Sequence, residues 1–144
     1  MTRPTQPPVG LRLANTAKTV SRAFNETLAE AGGSLPIWLA LSSLKSDEPR
    51  TQLELARAMG IEGPTLTRHL DGLEEAGLVR RVRSPGDRRA VRVELTDAGE
   101  ELFQRLRKAV VAFSARLTDG ISEQELERFR RTLARLEENV AQLP

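Results

Sequence analysis

The chain has 144 residues, no cysteine and one histidine, and its 22 basic and 20 acidic side chains leave a formal charge of +2. That length suits one domain, or two small interleaved ones, with a modest core. The missing thiol excludes disulfides, thiolate catalysis and cysteine-based redox sensing. No apolar run approaches the ~20 residues that cross a bilayer, and the opening MTRPTQPPVG has no apolar stretch of the signal-peptide kind. The expectation is a cytoplasmic protein with no membrane partner.

In chain order, residues 1–10 carry three prolines and read as a disordered arm. Leu13, Ala17, Val20, Phe24 and Leu28 recur at steps of four and three, which predicts an amphipathic helix over 11–31, ended by the glycines of AGG. Ser34 caps a second helix with Pro36 in its first turn. Thr51-Gln52-Leu53-Glu54 is a capping box opening a short helix, which MGIEGP interrupts. Another helix starts near Gly63, with Pro64 in its opening turn, and ends near EAGL. Residues 79–83 and 90–95 alternate in polarity around a Pro-Gly turn and predict a two-stranded hairpin. Such a hairpin is marginal alone, so it must lean on neighbouring helices. Thr96 caps a long helix with Leu102, Leu106, Ala109, Val110, Phe113 and Leu117 on one face. Ser122-Glu123-Gln124-Glu125 opens a last helix striped by Leu126, Phe129, Leu133, Leu136 and Val140.

Charge is distributed unevenly along this order. Leu78 to Arg92 holds six arginines and one acid, Asp87, a local charge of +5 against −3 for the remainder. A basic patch confined to one short segment is the footprint of a polyanionic partner.

The segment TQLELARAMGIEGPTLTRHLDGLEEAGL reads as a helix-turn-helix. Ala56 sits where two helices approach closely, and Gly60 supplies the sharp turn. Leu53, Leu55, Ile61, Leu66 and Leu70 are the expected contacts between the helices. At 100° per residue, Leu66, Leu70 and Leu73 define the buried side of the second helix. Pro64, Arg68, Asp71 and Glu75 lie opposite, with Thr65 and Thr67 on the flanks. The first half of the outer face is therefore hydroxylated and basic, and the second half acidic. A recognition helix enters the major groove N-terminus first, so this order fits DNA. His69 falls at the boundary of the two faces, within reach of a phosphate. With no second histidine and no cysteine, it has no partner for a metal site.

A basic hairpin directly after a recognition helix is a wing, with its turn SPGDRR over the adjoining minor groove. That groove concentrates negative potential where it narrows and suits arginine better than lysine. Arg83, Arg88 and Arg89 are the candidate contacts, and Asp87 can accept a backbone amide and hold a neighbouring guanidinium in one direction.

Together, PTLTRHLDGLEEAGLVRRVRSPGDRRAVRVELTDAG (64–99), with its LVRR, Asp-x-Arg and LTDAG signatures, resembles the MarR (multiple antibiotic resistance regulator) family of winged helix-turn-helix repressors. The resemblance implies a mainly α fold with a small β-hairpin wing. It also implies a DNA-binding domain over 34–96 and a dimerisation region from helices in 11–33 and 97–144 that interlock with a second subunit. Thr65, Thr67 and Arg68 match the family's major-groove readers, and Arg89, oriented by Asp87, matches its minor-groove residue. Family members commonly bind small aromatic acids between the dimerisation and DNA-binding parts and release DNA in response. This chain has no Tyr, so a phenolic ligand cannot be held by one. Phe24 and Trp38 are the candidates for an apolar effector wall, though each is more simply a core residue. Ala90 stands where many relatives carry an acid.

No nucleotide-binding glycine loop, nucleophile arrangement or metal-ligand cluster is present, which argues against an enzyme and against a cofactor. Two readings remain. One is a homodimeric, sequence-specific repressor on a pseudo-palindromic operator, released by a small aromatic effector. The other is a ligand-independent architectural DNA-binding protein.

Overall fold

The computed structural model describes residues 6–46, 50–83, 86 and 91–144. Among them lie six helices and three short strands: α1 (Val9–Glu30), α2 (Leu35–Ser46), β1 (Arg50–Thr51), α3 (Gln52–Met59), α4 (Gly63–Glu75), β2 (Val79–Arg83), β3 (Val91–Leu95), α5 (Asp97–Leu117) and α6 (Glu123–Ala141). The chain divides into two units, residues 1–113 and 114–144, with the boundary in the last turn of α5.

In the first unit, α1 begins two residues earlier than the periodicity predicts. Pro8 is extended (φ −50, ψ 141) and its carbonyl accepts the Arg12 amide at 3.0 Å, so Val9 and Gly10 are helical rather than part of an arm. Proline serves well at such a start because its ring fixes φ. The core gathers Leu28 of α1, Ala40, Leu41 and Leu44 of α2, Leu55 and Ala56 of α3, Leu66, Leu70 and Leu73 of α4, Val79 and Val93 of the strands, and Leu102, Phe103 and Leu106 of α5. Phe103 is absent from the α5 stripe expected from the sequence. It is buried because it stacks on Trp38, with ring centroids 5.7 Å apart and planes within 4°. A second pair, Phe24 and Phe113, meets at 5.3 Å. At the surface Lys45, near the end of α2, pairs with Glu100 of α5 at 2.9 Å. Hydrogen bonds from Lys45 and Gln104 hold the Glu100 carboxyl below its ordinary range.

The hairpin has more support than its sequence discloses. β2 pairs antiparallel with β3 from Val79↔Leu95 to Arg83↔Val91. β1, two residues long and not anticipated, pairs with the other edge of β3 through Arg50↔Val93 and Thr51↔Arg92. The sheet order is β1-β3-β2. A third strand relieves the weakness of an isolated hairpin.

The base of the hairpin is fixed by Thr96. Its hydroxyl donates to the Gly77 carbonyl at 2.5 Å and accepts the Gly99 amide at 3.1 Å. Its own amide donates to the Leu78 carbonyl at 3.1 Å. One hydroxyl thus satisfies a carbonyl beyond the end of α4 and a free amide at the start of α5. The close approach needs a residue without a side chain: a Cβ on Gly99 would stand 2.1 Å from the Leu78 oxygen. The glycine of LTDAG is therefore required by contact, not by backbone torsion.

In the second unit Ser122 caps α6, accepting the Glu125 amide at 3.2 Å and donating to the Glu125 carboxylate at 3.3 Å. Glu123 pairs with Arg130 at 3.2 Å, which raises the Arg130 pKa. No residue of α6 is buried. Leu126, Leu133 and Leu136 are half-covered, while Phe129 and Val140 of the same stripe are 54% and 65% exposed.

Gly99→Ala should destabilise the protein by at least the 1–3 kcal/mol typical of overpacking, because the obstacle is backbone and cannot rotate away. Urea denaturation followed by circular dichroism checks this, and a change under about 0.5 kcal/mol would remove the contact from the account.

Candidate nucleic-acid interface

The helix-turn-helix forms as its residues dictate. Thr51 accepts the Glu54 amide at 3.2 Å and starts α3. Gly60 ends it in the left-handed region (φ 67, ψ 31), and the Ile61 amide returns to the Ala56 carbonyl at 3.1 Å. An L side chain at Gly60 would carry strain, since this region favours glycine. Ala56 is buried at the α3–α4 contact and Leu55 is fully covered. Leu53, expected between the two helices, is instead 62% exposed. It sits in the first turn of α3, on the lip of a groove it shares with Gln52, Arg57, Gly63 and Thr67.

Leu66, Leu70 and Leu73 are all buried, as their spacing requires. Each contributes roughly 1.5–3 kcal/mol on burial, so the rotation of α4 about its axis is fixed. Pro64, Thr67 and Arg68 are consequently exposed, and Thr65 is half-buried on the flank. Glu62, the residue before α4, is extended and makes no side-chain cap. The Thr67 hydroxyl donates to the Gly63 carbonyl at 3.0 Å. In that rotamer it presents lone pairs outward and complements an amino group, such as adenine N6 or cytosine N4. Asp71, Glu74 and Glu75 are exposed only in the second half of the helix.

His69 is half-buried. It faces the start of α2, in the wall of a cavity of about 430 Å³ that also includes Ser34, Ile37, Arg68 and Leu73. Phe24 and Trp38, named above as an effector wall, are both engaged with other aromatic rings.

The arginines of the wing are not equivalent. Arg80, Arg83 and Arg92 are exposed, whereas Arg81 is drawn back against Asp71 and Glu74 of α4. Gly86 takes a turn conformation with φ +91. Asp87, Arg88 and Arg89 lie outside the described residues. Among the described residues, no cluster of His, Asp or Glu could hold a metal ion, and no helix is long and apolar enough to cross a membrane.

Sequence reasoning passed over Gln52 and Arg57. Both line the groove beside Thr67. The available signal was position: Arg57 directly follows the tightly packed Ala56, one turn before the Gly60 bend, so it points away from the core beside the recognition helix.

A helix-turn-helix with its recognition tip exposed, followed by a basic antiparallel hairpin, defines a winged-helix DNA-binding protein. Residues 34–91, from just before α2 to the first residue of β3, match the MarR family. Three solved structures are similar over nearly the whole chain. The transcriptional repressor CouR bound to a 23-mer DNA duplex is 30% identical with a TM-score of 0.80, covering 90% of this chain and 92% of that one. A Cys-to-Ser mutant of MarR from E. coli, complexed with operator DNA, is 25% identical with a TM-score of 0.79 over 90% and 93%. The M. tuberculosis regulator MosR, in complex with DNA, is 26% identical with a TM-score of 0.72 over 95% and 100%. The chain belongs to the MarR family, and it is a DNA-binding transcriptional regulator rather than an enzyme.

Arg57→Ala should weaken binding to all duplexes about equally and reduce the salt dependence of log K by about one unit, as loss of a phosphate contact does. Fluorescence anisotropy across a range of salt concentrations measures both; an unchanged slope would remove Arg57 from the interface.

Proposed function

We propose that this regulator is a homodimeric repressor that reads a pseudo-palindromic operator, with α4 in the major groove and the arginine wing in the adjoining minor groove. The observation that carries the reading is the orientation of α4. Three buried leucines turn Pro64, Thr67 and Arg68 outward at its tip, with Thr65 half-buried on the flank, where the helix begins without a side-chain cap. Two of these residues offer hydroxyls, and Arg68 offers the planar donor pair that matches guanine O6 and N7. Arg83, exposed at the end of β2, supports the wing reading, and Arg88, Arg89 and Asp87 extend it by sequence.

Dimerisation through 11–33 and 97–144 is supported by apolar side chains left uncovered on the single chain. Leu11 of α1 and Phe129 and Val140 of α6 are each more than half exposed. A soluble monomer rarely leaves such stripes open, and a two-fold pair places its recognition helices about one DNA turn apart.

Effector release is best supported at the cavity between the start of α2 and α4. It is large enough for a small aromatic acid, and its wall includes Arg68 and His69 beside an apolar floor. A carboxylate held there would withdraw Arg68 from DNA, so ligand and operator compete for one guanidinium. The alternative, a ligand-independent architectural protein, needs phosphate contacts and wedges but no base readers.

Arg68→Ala should cost about 1–3 kcal/mol on the preferred operator and flatten the difference between operator and scrambled duplexes. Equal affinity of the native protein for both duplexes would favour the architectural reading, and a monomeric mass at micromolar concentration would remove the dimer.

A further inference from the structure

Among the described arginines of the wing, Arg81 is drawn back from the surface that would meet DNA. Arg81 lies midway along β2, and its side chain is 22% exposed, against 63% for Asp71 and 47% for Glu74. One guanidinium nitrogen donates to Asp71 Oδ1. Its Nε lies 4.0 Å from Glu74 Oε2 and is buried without a hydrogen-bond partner. The Arg81 backbone amide donates to the same Glu74 oxygen at 3.1 Å. Side chain and main chain of one wing residue are therefore held by two carboxylates spaced three residues apart on the recognition helix.

The amide bond is informative about the role. β2 is an edge strand, so half its amides point away from β3. An open edge invites movement and mispairing, and Glu74 covers this one. The inner strand is held by β1, paired through Arg50↔Val93 and Thr51↔Arg92, and by Val93 in the core, and the base by Val79, Leu78 and Thr96. Arg81 adds a hold on the outer strand at the same level, on the edge of β2 that β1 does not reach.

We propose that Arg81 is a positioning residue. Clamped by Asp71 and Glu74, it sets the angle between recognition helix and wing, so that both reach their grooves on one duplex. The inference rests on the wing reading given above. It differs from simple charge masking, in which Arg81 would only neutralise two acids near phosphates.

The two ideas predict opposite signs for one variant. Asp71→Asn/Glu74→Gln removes two negative charges from the DNA side and also weakens the clamp. Charge masking requires tighter binding; the clamp requires weaker binding. Operator affinity is measured by anisotropy on the intact chain. Arg81→Met should lose about tenfold, the size of one charge-assisted hydrogen bond, and Arg81→Lys should recover part of that loss. In an Arg89→Ala background the Arg81→Met loss should shrink to twofold or less, because a wing without its guanidinium gains nothing from being aimed. Equal losses in both backgrounds, or unchanged or tighter binding by Asp71→Asn/Glu74→Gln, would overturn the proposal. Should Arg89→Ala weaken binding while Arg81→Met does not, the wing stands and this inference alone falls. If Arg89→Ala is silent, the wing reading fails and the clamp with it.

Discussion

Leu66, Leu70 and Leu73 bury one face of a 13-residue helix, and most of what the protein does to DNA follows from that burial. A helix has a single rotation at which three side chains three and four residues apart all leave water. Turning α4 to hide Thr67 or Arg68 would bring those leucines out, at a cost of roughly 1.5–3 kcal/mol each. No hydrogen bond available to the outer residues matches that. The exposed, hydroxylated tip is thus a consequence of the core behind it, and the exposed acids follow in the second half of the helix.

The wing depends on a different kind of constraint. A two-stranded hairpin contributes little stability of its own, and here it is held from three directions. β1 adds a third strand, Thr96 joins its base to the ends of α4 and α5, and Arg81 joins its middle to α4. The six arginines between residues 78 and 92 divide accordingly. At least one serves the architecture, and those exposed on the strands remain available to a polyanion. Net charge counts them alike; the fold separates them.

The amphipathic periods, both serine and threonine caps, the Gly60 turn and the outward face of α4 were legible in the sequence, because each rests on short-range geometry. What was not legible rests on contacts distant along the chain. β1 is too short to show a period of two, and it exists because β3 offers it an edge. Phe103 falls outside the expected α5 stripe and is buried because Trp38, sixty-five positions earlier, stacks on it. Leu53 follows the apolar pattern yet stays exposed, since α3 is only eight residues long and its buried face is taken by Leu55 and Ala56. The role of Arg81 could not be separated from that of Arg80 or Arg83 until their directions were known. Val9 and Gly10 join α1 because Pro8 caps it, which composition alone does not disclose.

Chemical footprinting with dimethyl sulfate tests the two-groove grip most directly, because the reagent reads guanine N7 in the major groove and adenine N3 in the minor groove of the same duplex. The account predicts two patches of protected guanine N7, about ten base pairs apart, each flanked by protected adenine N3. Protection of adenine N3 without guanine N7, or of neither under saturating protein, would mean that the tip of α4 is not the reading head and would contradict it.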